Sequence, residues 1–198
     1  FNNIHFPDIP GMGDFKGDGW HSARWDKSHD LTGERVGVIG LAASAIQFTP
    51  EIAPIVGQLH LFQRIANWVV PKSNTAYTQQ ELNHYRQHPE AVQQSREEIY
   101  AVWNTLATFS DKAFLADMEK SGLERIAQVK DATTRAKLTP NHPFGCKRPL
   151  FSDLYYPIFN RDNVELVTQD IDRITATGIR TADGQTRELD TIIFATGF

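Results

Sequence analysis

Four groups of residues in this 198-residue chain have types and spacings suited to chemistry. The first is Val38-Ile-Gly40-Leu41-Ala42-Ala43-Ser44-Ala45-Ile-Gln47, which has the form G-x-G-x-x-[GA] with Ala42 at the second glycine. In such a turn the first glycine permits a tight strand-to-helix bend. The second position lets backbone approach a pyrophosphate, and a small third residue lets helix and strand pack closely. Free N–H groups and the helix dipole then hold the phosphates. A nucleotide-free α/β turn would use the same residues. The second is Arg64, which closes the run Leu61-Phe-Gln-Arg64. An NAD site carries an acid there for the ribose 2′-hydroxyl; a guanidinium suits a 2′-phosphate instead and favours NADP. An ordinary exposed arginine would look the same. The third is Lys147-Arg148, two cations in a Pro/Gly-bounded loop that could bind phosphate or reach a reacting centre, or form a plain surface pair. The fourth runs from Phe15 to Asp26 and contains Gly17, His21 and Trp25. Spacing gives His21 neither a metal partner nor a nucleophile, and taken singly these residues suit packing. Cys146 is the single cysteine, which excludes a disulfide framework and a Cys-rich zinc site, so no metal is expected.

The elements that must position these groups are readable. Arg35–Ile39 is a short apolar run typical of a buried parallel strand. Gly40 follows, then a helix carrying Ile46, Phe48, Ile52 and Ile55 as far as Gly57, then a strand at Leu59–Phe62. That is a βαβ unit. Residues 78–137 hold only Gly122 and Pro89 as breakers, and Ile99, Val102, Trp103 and Leu106 sit at helical spacing, as do Phe114 with Met118 and Leu123 with Ile126 and Val129. They predict two to four amphipathic helices. Strands are expected at 164–168, 171–176, 178–181, 186–189 and 191–195, with Asp183-Gly184 as a hairpin turn. The fold class is α/β: a Rossmann-like dinucleotide-binding domain with an inserted helical subdomain and a C-terminal antiparallel β-meander. The expected division is a linker at 1–30, a nucleotide domain at 31–75 and 140–170, the helical insert at 76–139, and the meander at 171–198.

Composition narrows the function. Twenty basic residues against twenty-four acidic ones give a net charge of −4, which argues against a nucleic-acid partner. Apolar runs such as Thr191–Ala195 fall far short of the roughly 20 residues needed to cross a bilayer, so no membrane role is expected. One cysteine and no signal segment suggest an intracellular, cytoplasmic protein. Phe1 is not a start methionine, and Phe198 follows directly on a strand-like run, so a piece of a longer protein is expected.

Phe15, Gly17, His21, Trp25 and Asp26 fill every fixed position of F-x-G-x-x-x-H-x-x-x-W-[PD], and the stretch resembles the fingerprint of the Baeyer–Villiger monooxygenases. The resemblance runs on through Phe62-Gln-Arg64 with Trp68 and Pro71, through Lys147-Arg148 and Phe159–Val164, to Asp190–Gly197, whose Ala-Thr-Gly looks like the family's link between NADPH and FAD domains. It implies an enzyme that uses NADP(H), FAD and O2 to convert a ketone to an ester or lactone. By position Arg148 looks like the family's catalytic arginine, which steadies the anionic oxygenated flavin and contacts the nicotinamide. Lys147 and Arg64 look like the 2′-phosphate clamp. Gly40, Leu41, Ala42, Ala43, Ser44, Ala45 and Gln47 fall where the family meets the pyrophosphate, and Thr196 and Gly197 at the cofactor-binding strand end. His21 and Trp25 would couple NADPH binding to domain motion. Ile65 stands where many members carry threonine. One fingerprint of two is present, so the FAD domain is expected in sequence outside this segment, and turnover only from the longer chain. A related nitrogen- or sulfur-oxidising flavin monooxygenase and a non-catalytic nucleotide-binding module are the alternatives. A short-chain dehydrogenase is disfavoured, because no tyrosine has a lysine four residues on.

Overall fold

The computed structural model describes residues 3–72 and 74–198; Phe1, Asn2 and Ser73, and the side chains of Thr105, Leu106 and Ala107, lie outside the described residues. In chain order the elements are β1 (Asp18–His21), β2 (Arg35–Ile39), α1 (Ala45–Ile52), β3 (Gln58–Phe62), β4 (Val69–Val70), α2 (Gln79–Gln87), α3 (Pro89–Thr108), α4 (Lys112–Ile126), α5 (Ala132–Leu138), β5 (Leu150–Phe151), β6 (Val164–Val167), β7 (Ile171–Thr175), β8 (Gly178–Thr181), β9 (Thr186–Glu188) and β10 (Thr191–Phe194).

Five strands form one parallel sheet in the order β1-β10-β2-β3-β6. From β2 the chain builds outward through β3 to β6, then returns to place β10 on the other side. The direction therefore reverses between β2 and β10, the kind of crevice where open α/β sheets bind ligands. The strands are apolar because both faces are covered. Val36, Val38, Leu59, Leu61 and Ile193 pack with α1 and with Tyr155–Phe159 on one face. Ile39, Phe62, Val167, Ile192 and Phe194 pack with Ile174, Ile179 and Leu189 on the other. Side chains alternate along each strand, so neighbours in sequence serve opposite cores.

Three expectations need correction. Residues 1–30 are not all loop: β1 joins the sheet edge, pairing Asp18–His21 in register with Thr191–Phe194. Only Trp20 and His21 of this strand are buried, so its order comes from the backbone edge that β10 offers and not from an apolar pattern. The antiparallel sheet β7-β8-β9 ends at Glu188, and β10 is no part of the meander. All four residues of β10 are buried, which requires two covered faces, and it lies between β1 and β2. Its entry is pinned at Asp190, whose carboxylate accepts from the Arg35 backbone N–H (2.9 Å) and guanidinium (2.7 and 3.1 Å). Helix α1 stops at Ile52, short of Gly57, and Ile55 lies beyond it, half exposed.

Among the described residues the chain forms four helices between β4 and β5, three of them started by identifiable caps. Thr78 and Glu81 make a reciprocal capping box for α2, and Asp111 and Asp131 cap α4 and α5. Helix α4 anchors on β4 at Gly122, where a Cβ would lie 2.7 Å from the Trp68 indole. Arg125 adds an ion pair to Asp153.

Candidate functional site

The Gly40 turn is at the crevice between β2 and β10. Gly40 has φ +93°, and a Cβ on it would lie 2.7 Å from the Ala195 carbonyl oxygen, so both conformation and space demand glycine. The Gly40 N–H donates to Phe62 O (3.3 Å), and the next backbone donation along the turn among the described residues is Ile46 N–H to Ala42 O (3.1 Å). Ser44, at the N-cap of α1, makes no side-chain cap. The N–H groups between them, at the positive end of α1, are thus left for an outside acceptor. Gln47 turns back to donate to Ala43 O (2.6 Å).

Two clefts flank this turn. The larger, about 770 Å³, is bounded by Gly40, Leu41 and Ala42 on the sheet side, by Arg64 and Lys147, and by Thr196. Its outer wall includes His5 and Asp8. The segment there is tied to the end of β10: the His5 N–H donates to Gly197 O (2.9 Å), and Thr196 Oγ1 donates to His5 O. The second cleft, about 470 Å³, is bounded by Ala43, Gln47 and Arg148, with aromatic walls from Trp103, Phe109 and Phe151. The adjacent cations Lys147 and Arg148 therefore serve different clefts.

Arg64 and Lys147 share a cleft because two loops are laced together. The β4–β5 pair sets Val69 against Leu150. Beside it Asn67 Nδ2 donates to Arg148 O (3.0 Å) and Trp68 Nε1 donates to His142 O (2.8 Å). Asn67 and Trp68 thus hold the cation loop, and Gln63, which donates to Lys137 O (2.8 Å), ties in the end of α5. Sequence reading missed Asn67, Gln63 and the aromatic wall of the second cleft. The one available signal was the Trp68-x-x-Pro71 stretch after Arg64.

The fingerprint residues line neither cleft. Phe15 packs on the core face that holds β7 and β8. Gly17 is pressed against Asp190 O and the Phe15 ring, leaving no room for a side chain. Trp25 lies edge-on to Trp20 and Phe48, with ring centroids 5.9 and 5.1 Å away. Asp26 accepts from the Ser28 hydroxyl and N–H, bonds that hold its carboxyl below the usual range. His21 is buried; its Nδ1 accepts from Ala23 N–H (3.2 Å), which puts the ring proton on Nε2, a buried atom without a partner among the described residues. Among the described residues no cluster of His, Cys, Asp or Glu could hold a metal, and no helix is long and apolar enough to cross a membrane.

Comparison with known proteins places this geometry. The profile of the flavin-binding monooxygenase-like family matches residues 1–198. A protein named Baeyer–Villiger monooxygenase from Pseudomonas aeruginosa is 39% identical over 98% of this chain and 37% of its own length. A second of that name, from Streptomyces coelicolor, is 39% identical over 97% of this chain and 38% of its own. The chain spans under two-fifths of these relatives. Among solved structures, cyclohexanone monooxygenase with bound ε-caprolactone superposes with a TM-score of 0.84 at 29% identity, over 98% of this chain and 46% of that one. A steroid monooxygenase bound to NADP superposes with a TM-score of 0.82 at 32% identity, over 100% of this chain and 45% of that one.

Proposed function

Because the chain belongs to the flavin-binding monooxygenase-like family, we propose that it is the NADPH-binding part of an FAD-dependent Baeyer–Villiger monooxygenase. Such an enzyme converts a ketone to an ester or lactone with O2. The observation that carries this reading is the Gly40 turn, whose open N–H groups lie between a cleft with the cations Arg64 and Lys147 and an aromatic cleft with Arg148 and Lys72. Residues 31–75 and 140–170, completed by β10, form the proposed nucleotide domain, and 76–139 the insert. FAD, which accepts hydride and activates oxygen, would be held by residues outside this segment. The exposed Cys146 thiol suits a reducing, cytoplasmic setting.

The residues fit a dinucleotide laid across α1. The N–H groups of Ala42 to Ala45 would hold the pyrophosphate, with the Ala42 Cβ crowding an approach that a glycine would leave open. Arg64 and Lys147 would grip the 2′-phosphate by charge-assisted hydrogen bonds. The nicotinamide end would then enter the second cleft beside Gln47 and Arg148. There the Arg148 guanidinium would stabilise negative charge as it develops, and Trp103 and Phe109 would exclude water from it.

The test uses the full-length protein with a ketone, O2 and either NADPH or NADH. Arg64→Ala should raise KM for NADPH roughly tenfold or more, from the about 1.5–3 kcal/mol of a charge-assisted contact, and leave KM for NADH nearly unchanged. Arg148→Ala should lose oxygenation while NADPH oxidation continues with release of hydrogen peroxide. Equal effects of Arg64→Ala on both cofactors, or full oxygenation by Arg148→Ala, would remove these residues from the roles assigned.

A further inference from the structure

The second cleft contains a second cation beside Arg148. Lys72 lines it together with Arg148, and none of the described residues that line it is acidic. Among the described residues neither cation has an ion-pair partner. The walls between them are aromatic and aliphatic: Trp103 and Phe151 meet edge to face at 5.9 Å, and Ile46 comes from α1. Phe109, at φ +46° just past α3, lies against Gly145, where a Cβ would sit 2.7 Å from its ring.

The β4–β5 register fixes how the two cations are spread. Val69 pairs with Leu150 and Val70 with Phe151, so Arg148 is level with Asn67, and Lys72 lies five residues further along. At about 3.3 Å per residue that is roughly 16 Å of backbone, which two long side chains shorten. An apolar trough with a cation at each end is complementary to an elongated molecule with an apolar body and a negative end. An uncharged ketone would leave the exposed Lys72 charge without a complement.

Resting on the proposed reaction, we infer that the substrate is a ketone bearing an anionic group at its far end, a carboxylate or phosphate held by Lys72 while the carbonyl lies toward Arg148. The acidic group and the carbonyl are separated by an apolar chain or ring system that fills the space between Trp103, Phe109 and Phe151. Lys72 is then the residue that selects charged ketones over neutral ones of equal shape.

Binding and turnover separate this inference from the reaction on which it rests. In the full-length protein, 7-oxooctanoate and its uncharged primary amide are compared by calorimetric Kd and by NADPH- and O2-dependent oxygenation. The acid should bind about tenfold more tightly than the amide, the size of one charge-assisted contact. Lys72→Met should abolish that preference and Lys72→Arg should restore it. An octyl phosphate bearing a keto group, run beside the acid, tells which anion the site favours; a preference for either supports the inference. No preference for the anion, or no binding of either probe, overturns it. So does a rise in Kd for NADPH in Lys72→Met, which would give Lys72 to the dinucleotide's pyrophosphate. Charge-selective binding without oxygenation would instead keep the anion site and refute the monooxygenase reading. Oxygenation of neutral ketones without charge selection would do the reverse.

Discussion

The parallel sheet and the helical insert hold their shape by different means. In the sheet, Val36, Val38, Leu59, Leu61 and Ile193 have no exposed surface, and each is sealed by α1 or by neighbouring strands. In the insert, α3 leaves Ile99, Val102 and Trp103 more than half exposed and packs chiefly on α2, which buries nothing. The insert is attached through a few anchors: Gly122 on Trp68, Arg125 to Asp153, and Glu119, which accepts from the Phe144 N–H (2.8 Å). The difference maps onto the two clefts. The Gly40 turn, which bounds the first, is positioned by strands that cannot shift without breaking the core. The second takes Trp103 and Phe109 from the loosely held part.

The sharpest way to break this contrast is a matched pair of truncations. Ile193→Ala removes three buried carbons from a strand with two covered faces and should cost about 2–5 kcal/mol. Val102→Ala, 58% exposed on α3, should change stability by less than about 0.5 kcal/mol. Urea unfolding of both variants checks this. A large loss for Val102→Ala would show that the insert belongs to the same cooperative unit as the sheet.

These two regions were also unequally legible in sequence. The β2–Gly40–α1–β3 unit is plain because a buried parallel strand is a continuous apolar run and the glycine marks the bend. The insert's helicity is plain from its period, while its caps, Thr78, Asp111 and Asp131, are visible only in the structure. β1 was invisible, since Asp18-Gly-Trp-His21 carries no alternation and is ordered by a partner 173 residues away (Asp18 to Thr191). β10 was recognisable as a strand but not as a central one, because four buried residues read the same in a meander as in a parallel sheet. At the site, the residue types of Arg64, Lys147 and Arg148 were visible. That Lys147 and Arg148 face different clefts was not, for it depends on Asn67 reaching the Arg148 carbonyl across 81 positions.

A smaller effect concerns the polar seam between the parallel sheet and the antiparallel one. Arg187 of β9 makes a two-pronged pair with Glu165 of β6 (2.6 and 3.0 Å), and His60 of β3 meets the same carboxylate (2.7 Å). Burial pushes the His60 imidazolium pKa down despite the attraction of Glu165. The Arg187 hydrogen bond holds the Glu165 carboxyl below its ordinary value. Both groups bind protons more readily when unfolded, so each contributes stability that is lost on acidification. For His60 the loss begins as pH falls below its unfolded value of about 6.5, and for Glu165 below about 4.5. The urea midpoint should therefore fall between about pH 7.5 and about pH 5.5, the window in which His60 gains its proton and Glu165 does not. In His60→Gln the fall should flatten, and an unchanged slope would place the titrating group elsewhere.

The smallest expected effect tests the insert from within. Thr78 accepts from the Glu81 N–H (3.2 Å), and the Thr78 N–H donates to the Glu81 carboxylate (2.7 Å), satisfying two donors that the start of α2 would otherwise leave open. Thr78→Ala removes half of that exchange and should cost the helix about 1 kcal/mol. In a helix bound into the core the whole of that cost would reach the global unfolding free energy. In α2, which buries no residue, fraying of the first turn is a cheaper response, and the chain can open locally while the sheet stays intact. Amide exchange should therefore quicken about fivefold in the first turns of α2, the factor equivalent to 1 kcal/mol, while the urea midpoint of the whole chain stays in place. A shift of the midpoint by the full amount, with exchange in α2 and β3 rising together, would show that α2 and the sheet unfold as one unit.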